Sequence, residues 1–167
     1  MTDAPRAQRL AVYALIRRPD EVLLTRISQL GHHVGSWTLP GGGIDHGEEP
    51  RSALSRELVE ETGLRVKIGS LLDVHSQHFT GRAPSGQVED FHGVHLIFEA
   101  ALLDAQQTPV VIERDGTTDA VAWVRVAQIQ SDALPVLDVV KYALAIPRGQ
   151  VVADATGSNA SISLRRR

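Results

Sequence analysis

A single predicted helix bearing three glutamates constrains this chain more than any other feature. Residues 50–62 begin with a proline, which suits the first position of a helix, and are followed by Gly63, which favours a helix C-terminus. On a helical wheel Glu57, Glu60 and Glu61 fall within about 100° of arc, and apolar residues of the preceding turn fall within the same arc. The glutamates therefore lie on the face expected to meet the rest of the protein.

Three carboxylates on a partly buried face repel one another and require a positive partner. Arg56 can pair with Glu60, but one arginine does not neutralise three carboxylates. Mg²⁺ takes oxygen ligands and is commonly shared between protein carboxylates and substrate phosphates. Glycines 41–43, just upstream, let a ligand approach the backbone closely. The segment predicts metal-assisted chemistry on a phosphate compound. An ordinary glutamate-rich surface helix is the alternative.

The rest of the chain predicts an α/β fold with layers of helices and strands. A segment with helical spacing at 134–146 follows the strands, and Pro147 ends it. We expect one domain over residues 1–147 and a disordered tail over the polar, patternless residues 148–167. The first two strands are expected to form a hairpin around Pro19. The predicted strands are 10–16, 21–26, 37–39, 66–75, 94–103 and 120–126.

Composition excludes several functional classes. The 167 residues carry a formal net charge of −3, which makes nucleic acid an unlikely partner. Cysteine is absent, so disulfides, thiol catalysis and iron–sulfur clusters are excluded. No apolar run approaches the roughly 18 residues that a membrane span needs. The first ten residues lack an apolar signal core, and we expect a cytoplasmic protein.

Residues 42–64 carry a recognisable family motif. They read Gly42, five residues, Glu48, seven residues, Arg56-Glu57-Leu58, any residue, Glu60-Glu61, any residue, Gly63-Leu64. This segment resembles the Nudix box, and all seven of its fixed letters are present. Such a match arises by chance about once in 10⁸ starting points. The lead-in at 37–42 also resembles that family.

The resemblance implies an α/β/α sandwich with a mixed β-sheet. It also implies hydrolysis, with Mg²⁺ or Mn²⁺, of a nucleoside diphosphate linked to another moiety. Water would attack phosphorus in the diphosphate bridge and release a nucleoside monophosphate. The favoured substrates are a (d)NTP or a nucleotide sugar. Many relatives are dimers, so a homodimer is one expected assembly.

The resemblance also implies roles for individual residues. The carboxylates of Glu57, Glu60 and Glu61 would bind the metal, with the Gly41 carbonyl adding a ligand. Arg56 and Glu48 would orient the carboxylates and the loop. The base would be Glu57 or a loop carboxylate. Three loop carboxylates are candidates for a further ligand, with Glu113 preferred: Glu113, Asp115 and Asp119.

Substrate contacts are predicted at three positions. Arg26 lies in a stretch that resembles coenzyme A pyrophosphatases, and the rings of Trp37 and Phe79 could stack on a nucleobase. Packing in the core is the alternative for these aromatics. A nucleotide sensor without turnover is the competing function. A zinc-binding scaffold is weaker, because the i, i+3 histidine pairs would point to opposite faces of a strand: His75 with His78, and His92 with His95.

Overall fold

The computed structural model describes residues 4–83 and 85–147. The tail predicted for residues 148–167 lies outside the described residues. The described chain forms seven strands and three helices. In chain order they are β1 Arg6–Leu15, β2 Glu21–Ile27, β3 Trp37–Thr38, β4 Gly41–Gly43, α1 Pro50–Thr62, β5 Val66–Arg82, β6 Val88–Leu102, β7 Thr118–Arg125, α2 Val126–Gln130 and α3 Asp138–Ala145.

The strands form two sheets. The four-stranded sheet has the order β4-β1-β6-β5, and the three-stranded sheet has the order β3-β2-β7. In the larger sheet β1 runs parallel to β6, whereas β4 and β5 are antiparallel to their neighbours. This sheet is therefore mixed, as predicted, and the glycine strand β4 is its edge.

Helices cover both faces of the strands. Alternate residues of β1 point to opposite sides. Val12 and Ala14 pack in one apolar cluster with Leu54 of α1, and Leu15 packs in a second cluster with Val140 of α3. Each cluster also takes residues from β2 and β6, so both sheets contribute to one middle layer between the helices. The predicted α/β/α sandwich is confirmed.

The helix α1 has the bounds that the sequence predicts. Pro50 occupies its first turn, and the Glu49 side chain accepts a hydrogen bond from the Ser52 backbone N–H. Gly63 ends the helix in the left-handed conformation at φ 63°, and its N–H donates to the Val59 carbonyl. Leu54 is completely buried, which contributes about 1.5–3 kcal/mol. Local signals and core packing thus fix the helix in one position.

Three expectations differ from the structure. The predicted hairpin does not extend beyond its turn. An antiparallel bridge between Arg17 and Val22 closes the turn, but β1 and β2 themselves lie in different sheets. Strands β5 and β6 extend well beyond the predicted 66–75 and 94–103, so the loop between them shrinks to residues 83–87. The closing helix begins later than predicted and is preceded by the short α2. No helix in the described chain is long and apolar enough to cross a membrane.

Candidate functional site

Arg56 of α1 forms hydrogen bonds with three glutamate side chains, those of Glu48, Glu57 and Glu60. Its Nε and Nη2 donate to the two oxygens of Glu48 at 3.1 and 3.0 Å. Its Nη1 donates to Glu57 at 2.9 Å and to Glu60 at 3.4 Å. A further bond reaches the Gly43 carbonyl at 3.3 Å. These bonds raise the pKa of Arg56 and hold the pKa of Glu48 below its usual value. Arg56 is therefore permanently charged and sets the positions of its partners.

Glu61 lies apart from this network. Only 5% of the residue is exposed, and its carboxylate accepts hydrogen bonds from the Gly41 N–H at 2.8 Å and from the Thr118 hydroxyl. Burial raises the pKa of Glu61 to about 7, although both hydrogen bonds oppose that shift. The charges of Glu57 and Glu113 raise it further. The described residues provide Glu61 with no cationic partner at ion-pair distance.

The glycines of β4 make room for the helix carboxylates. A Cβ atom on Gly42 would lie 2.5 and 2.7 Å from the two oxygens of Glu57. Gly41 has φ 137°, a conformation that favours glycine, and this places its N–H against Glu61. Burial raises the pKa of Glu57, while Arg56 opposes the shift. The two carboxylates thus lie against the backbone of the glycine strand.

A cavity of about 250 Å³ opens beside Glu61 and Gly41. The outer half of the β5–β6 hairpin forms one wall, and the loop at residues 30–33 faces it. The charged residues lining it in the described chain are two arginines and two glutamates: Arg9, Arg82, Glu61 and Glu89. The cavity therefore extends from the buried carboxylate of Glu61 to a wall formed by the outer half of the β5–β6 hairpin.

Aromatic rings line the β5–β6 side of the cavity. Phe79 and Phe91 are direct cross-strand partners, with ring centroids 5.4 Å apart. His33 lies 6.1 Å from Phe79, and His32 lies 6.2 Å from Phe91, between ring centroids. The next cross-strand pair joins Gln77 to Gly93, and neighbouring side chains close over the glycine, since a Cβ there would lie 3.2 Å from the Phe91 ring and 2.8 Å from Nε2 of His95. This arrangement suits a flat ring carrying polar edges.

The four strand histidines form two cross-strand pairs on opposite faces. His75 and His95 are stacked with their Nδ1 atoms 3.1 Å apart, and both are buried. His78 and His92 lie on the other face, with ring centroids 5.8 Å apart. Within residues 4–83 and 85–147, no three His, Asp or Glu side chains are grouped so as to hold a metal as they stand. The i, i+3 spacing thus puts the two histidine pairs on opposite faces of the hairpin, as the sequence predicts.

The predicted substrate residues separate into two places. Phe79 lines the cavity, whereas Arg26 and Trp37 lie outside its lining on β2 and β3. Arg26 donates to Asp119 at 2.8 Å, and Trp37 packs in the core cluster beneath α3. Substrate binding by Arg26 and Trp37 stays a prediction.

Glu113 is brought to the C-terminal end of α1. Its backbone N–H donates to the Glu60 carbonyl at 2.9 Å, and its charge acts on Glu61. Sequence reasoning missed Arg9, Gln77, His95 and Thr118 as neighbours of this site. The alternation of residues along β1 and β6 was the one available signal for Arg9 and His95, and it needs the strand register to be read.

Comparison with known proteins decides the family. A family model described as the NUDIX domain matches residues 7–143. The chain belongs to the Nudix family. The predicted family is thereby confirmed, and Nudix hydrolases generally use a divalent metal. The matched region contains α1, β4 and the whole cavity wall.

Individual Nudix relatives match over shorter stretches. The chain is 34% identical over 85 residues to a CTP pyrophosphohydrolase of Escherichia coli K12, covering 49% of this chain and 63% of that protein. It is 44% identical over 61 residues to human diphosphoinositol polyphosphate phosphohydrolase 3-alpha, covering 36% of this chain and 35% of that protein. The chain thus spans less than two thirds of the length of these relatives. A crystal structure of a MutT NUDIX hydrolase from Burkholderia pseudomallei superposes with a TM-score of 0.66 at 26% identity, covering 84% of this chain and 98% of that one.

Proposed function

We propose that this Nudix protein hydrolyses the diphosphate bridge of a nucleoside diphosphate-linked small molecule and releases a nucleoside monophosphate. A (d)NTP or a nucleotide sugar is the favoured substrate, and Mg²⁺ the favoured metal, with Mn²⁺ as a substitute. One observation carries the proposal: Glu57 and Glu61 of α1 lie against the glycine strand β4, whose residues Gly41 and Gly42 also line the aromatic cavity. The relatives named for CTP and for diphosphoinositol polyphosphates suggest the reaction but leave the substrate open.

The donor set fits a hard divalent cation. Glu57, Glu60 and Glu61 supply three carboxylates from one helix. Arg56 pairs with Glu57, Glu60 and Glu48, whereas Glu61 is buried apart from it. Carboxylate oxygens are the ligands that Mg²⁺ prefers. Glu57 and Glu60 are turned toward Arg56, so metal binding requires them to exchange part of that contact for the cation.

The residues of the site would then have two separate roles, metal binding and positioning. Glu57, Glu60, Glu61 and the Gly41 carbonyl would hold the cation, and Glu113 would contribute from the loop. The bound metal supplies Lewis-acid activation of the phosphate and of water. Arg56 and Glu48 position the carboxylates, since Arg56 contacts both Glu57 and Glu60 while Glu48 holds it with two bonds.

The cavity favours a nucleoside over a highly phosphorylated ring. Its aromatic wall offers Phe79 and Phe91 for stacking, which every base can use. Its charged lining in the described chain is balanced, with two arginines and two glutamates. A ligand with many phosphates would need more cationic side chains around it. The aromatic moiety therefore lies against β5 and β6, and the phosphates lie toward α1.

A metal-dependent product analysis tests this proposal. The purified protein is incubated with canonical and oxidised NTPs, nucleotide sugars, ADP-ribose, NADH, dinucleoside polyphosphates and coenzyme A. Each is run with Mg²⁺ and with EDTA, and products are read by mass spectrometry. We expect a nucleoside monophosphate from one compound class in Mg²⁺ alone. Tight nucleotide binding without any turnover would support a nucleotide sensor on the same fold instead.

A further inference from the structure

Arg9 is the cationic side chain that this site has not yet used. It lies on β1 directly opposite Gly93 of β6, two residues before Ala11, which pairs with His95. Alternation along the strand places Arg9, Ala11 and Tyr13 on the face that lines the cavity. Arg9 thus belongs to the cavity wall between the aromatic rings and the glycine strand.

The guanidinium of Arg9 lies flat against the backbone of Gly43. A Cβ atom on Gly43 would lie 2.7 Å from Nη2 and 3.0 Å from Nε of Arg9. Its neighbour Gly42 makes the corresponding space for Glu57 on the opposite side of the strand. Gly43 therefore leaves room for the Arg9 guanidinium on one face of β4, and Gly42 leaves room for the Glu57 carboxylate on the other face.

The charge of Arg9 has no carboxylate partner in the described chain. Arg26 and Arg56 each pair with a carboxylate within 3.0 Å, whereas no ion pair among residues 4–83 and 85–147 includes Arg9. Its charge nevertheless acts within the cavity wall, where burial, His75 and Arg9 together lower the pKa of His95. An arginine placed in this way is free to bind an anionic ligand.

The topology shows which part of a substrate would meet Arg9. Strand β4 is the edge of its sheet, so a ligand can cross its free side. Such a ligand would contact the carboxylate end on one side and the Arg9 guanidinium on the other. We propose that Arg9 binds a non-bridging oxygen of the substrate diphosphate and positions it between the carboxylates and the aromatic wall. This inference rests on the proposed function, since it assumes a diphosphate substrate.

Inorganic pyrophosphate is the probe that isolates this contact from base recognition. Its dissociation constant is measured by calorimetry with Mg²⁺, after a titration with Mg²⁺ alone. We expect Arg9→Ala to weaken pyrophosphate binding at least about tenfold, because hydrogen bonds to charged groups are worth a decade or more. Arg9→Lys should lie between Arg9→Ala and the natural protein, since lysine keeps the charge without the planar fork.

Two further variants separate binding from structure. Arg6→Ala is the matched control, because Arg6 lies on the same strand, on the other face, with its side chain 86% exposed. It should leave pyrophosphate binding unchanged. Gly43→Ala keeps the arginine but displaces its guanidinium, and it should weaken binding in the same direction. Equal thermal midpoints would show that each variant is folded.

The outcomes keep the two proposals apart. Pyrophosphate binding that is absent in the natural protein, or unchanged in Arg9→Ala, overturns the role of Arg9. Hydrolysis of a nucleotide in the same preparation would still support the proposed function. Arg9-dependent binding of pyrophosphate in a protein that hydrolyses no nucleotide would refute the proposed function alone.

Discussion

Glu61 of α1 and the rings of the β5–β6 hairpin border the same cavity, but the helix carboxylates and the rings are held in place in different ways. Glu57, Glu60 and Glu61 are neighbours on one helix, and Arg56 of the same helix binds two of them. The pairs Phe79–Phe91 and His75–His95 join residues that meet only when two long strands align. The first region is built by local spacing and electrostatics, and the second by strand register and packing. We infer that the first carries the chemistry and the second selects the ligand.

The largest effect is expected at the buried end of the helix. Glu61→Gln should lower turnover of the nucleotide found by the product analysis by about a hundredfold or more, because a neutral amide contributes no charge toward a metal. Folding should be retained or improved, since an ionised carboxylate is costly to bury. Turnover and the thermal midpoint are measured together.

The matched control for this change is Glu99→Gln, which alters an exposed glutamate on β6 outside the cavity lining. It should leave both turnover and stability unchanged. Full activity in Glu61→Gln would remove Glu61 from the metal-binding set. A large drop in its thermal midpoint would instead show that the hydrogen bonds from Gly41 and Thr118 outweigh the burial of charge.

Removing a ring from the hairpin should affect binding more than chemistry. Phe79→Ala is expected to raise KM about tenfold with a much smaller change in kcat, because base stacking contributes roughly 1–3 kcal/mol. Val88→Ala is the control, since Val88 is exposed on the same hairpin and does not line the cavity. An unchanged KM in Phe79→Ala would place the aromatic moiety of the substrate elsewhere.

The contrast between the two regions also explains what the sequence could predict. The bounds of α1, its first-turn proline, its terminal Gly63 and the burial of Glu61 all depend on residues within a few positions of one another, and the structure has them as predicted. The outer halves of β5 and β6 are polar and carry no apolar run. They are strands because each residue has a cross-strand partner, which a local pattern does not reveal.

The same reason explains why the predicted hairpin does not extend beyond its turn. A turn around Pro19 favours antiparallel pairing of the first two strands, but β1 takes β6 as its parallel partner, and Leu10 lies opposite Val94. That partner lies far along the chain, so no local pattern indicates it. The pairing of β1 with β6 brings Arg9 and His95 to the cavity. Because this pairing is visible only in the structure, only the structure shows that both residues line the cavity together with Glu61.

Acid should weaken the register-dependent region through the paired histidines. Burial, with repulsion from His75 and Arg9, lowers the pKa of His95 to about 4 from 6.5. Burial also lowers the pKa of His75, opposed by Asp138 of α3, and Tyr13 packs edge-on against His95. The unfolded chain therefore takes up a proton first as pH falls below 6.5. Stability present above that pH is lost toward pH 4.

The raised pKa of Glu61 acts in the opposite direction, so the comparison is made between variants. Urea unfolding is measured at pH 7 and pH 5 for the natural protein and for His95→Gln. We expect the variant to lose about 1 kcal/mol less on acidification. His46→Gln, in an exposed turn, is the control and should follow the natural protein. Identical pH dependence in all three would exclude the histidine pair as an acid-sensitive element.

The smallest effect separates two adjacent glutamates at the start of α1. Glu48 binds Arg56, whereas Glu49 caps the helix by accepting from the Ser52 N–H at 2.9 Å. Glu49→Ala should therefore lower the free energy of unfolding slightly and leave kcat unchanged, and Glu49→Asp should restore the cap. Glu48→Gln should lower kcat instead, because Arg56 loses the charged partner that holds it beside Glu57. Denaturant unfolding and steady-state kinetics on both variants give the comparison. If both lowered stability alone, the network around Arg56 would serve the helix rather than the carboxylates, and the chemistry would rest on Glu61 and the glycine strand.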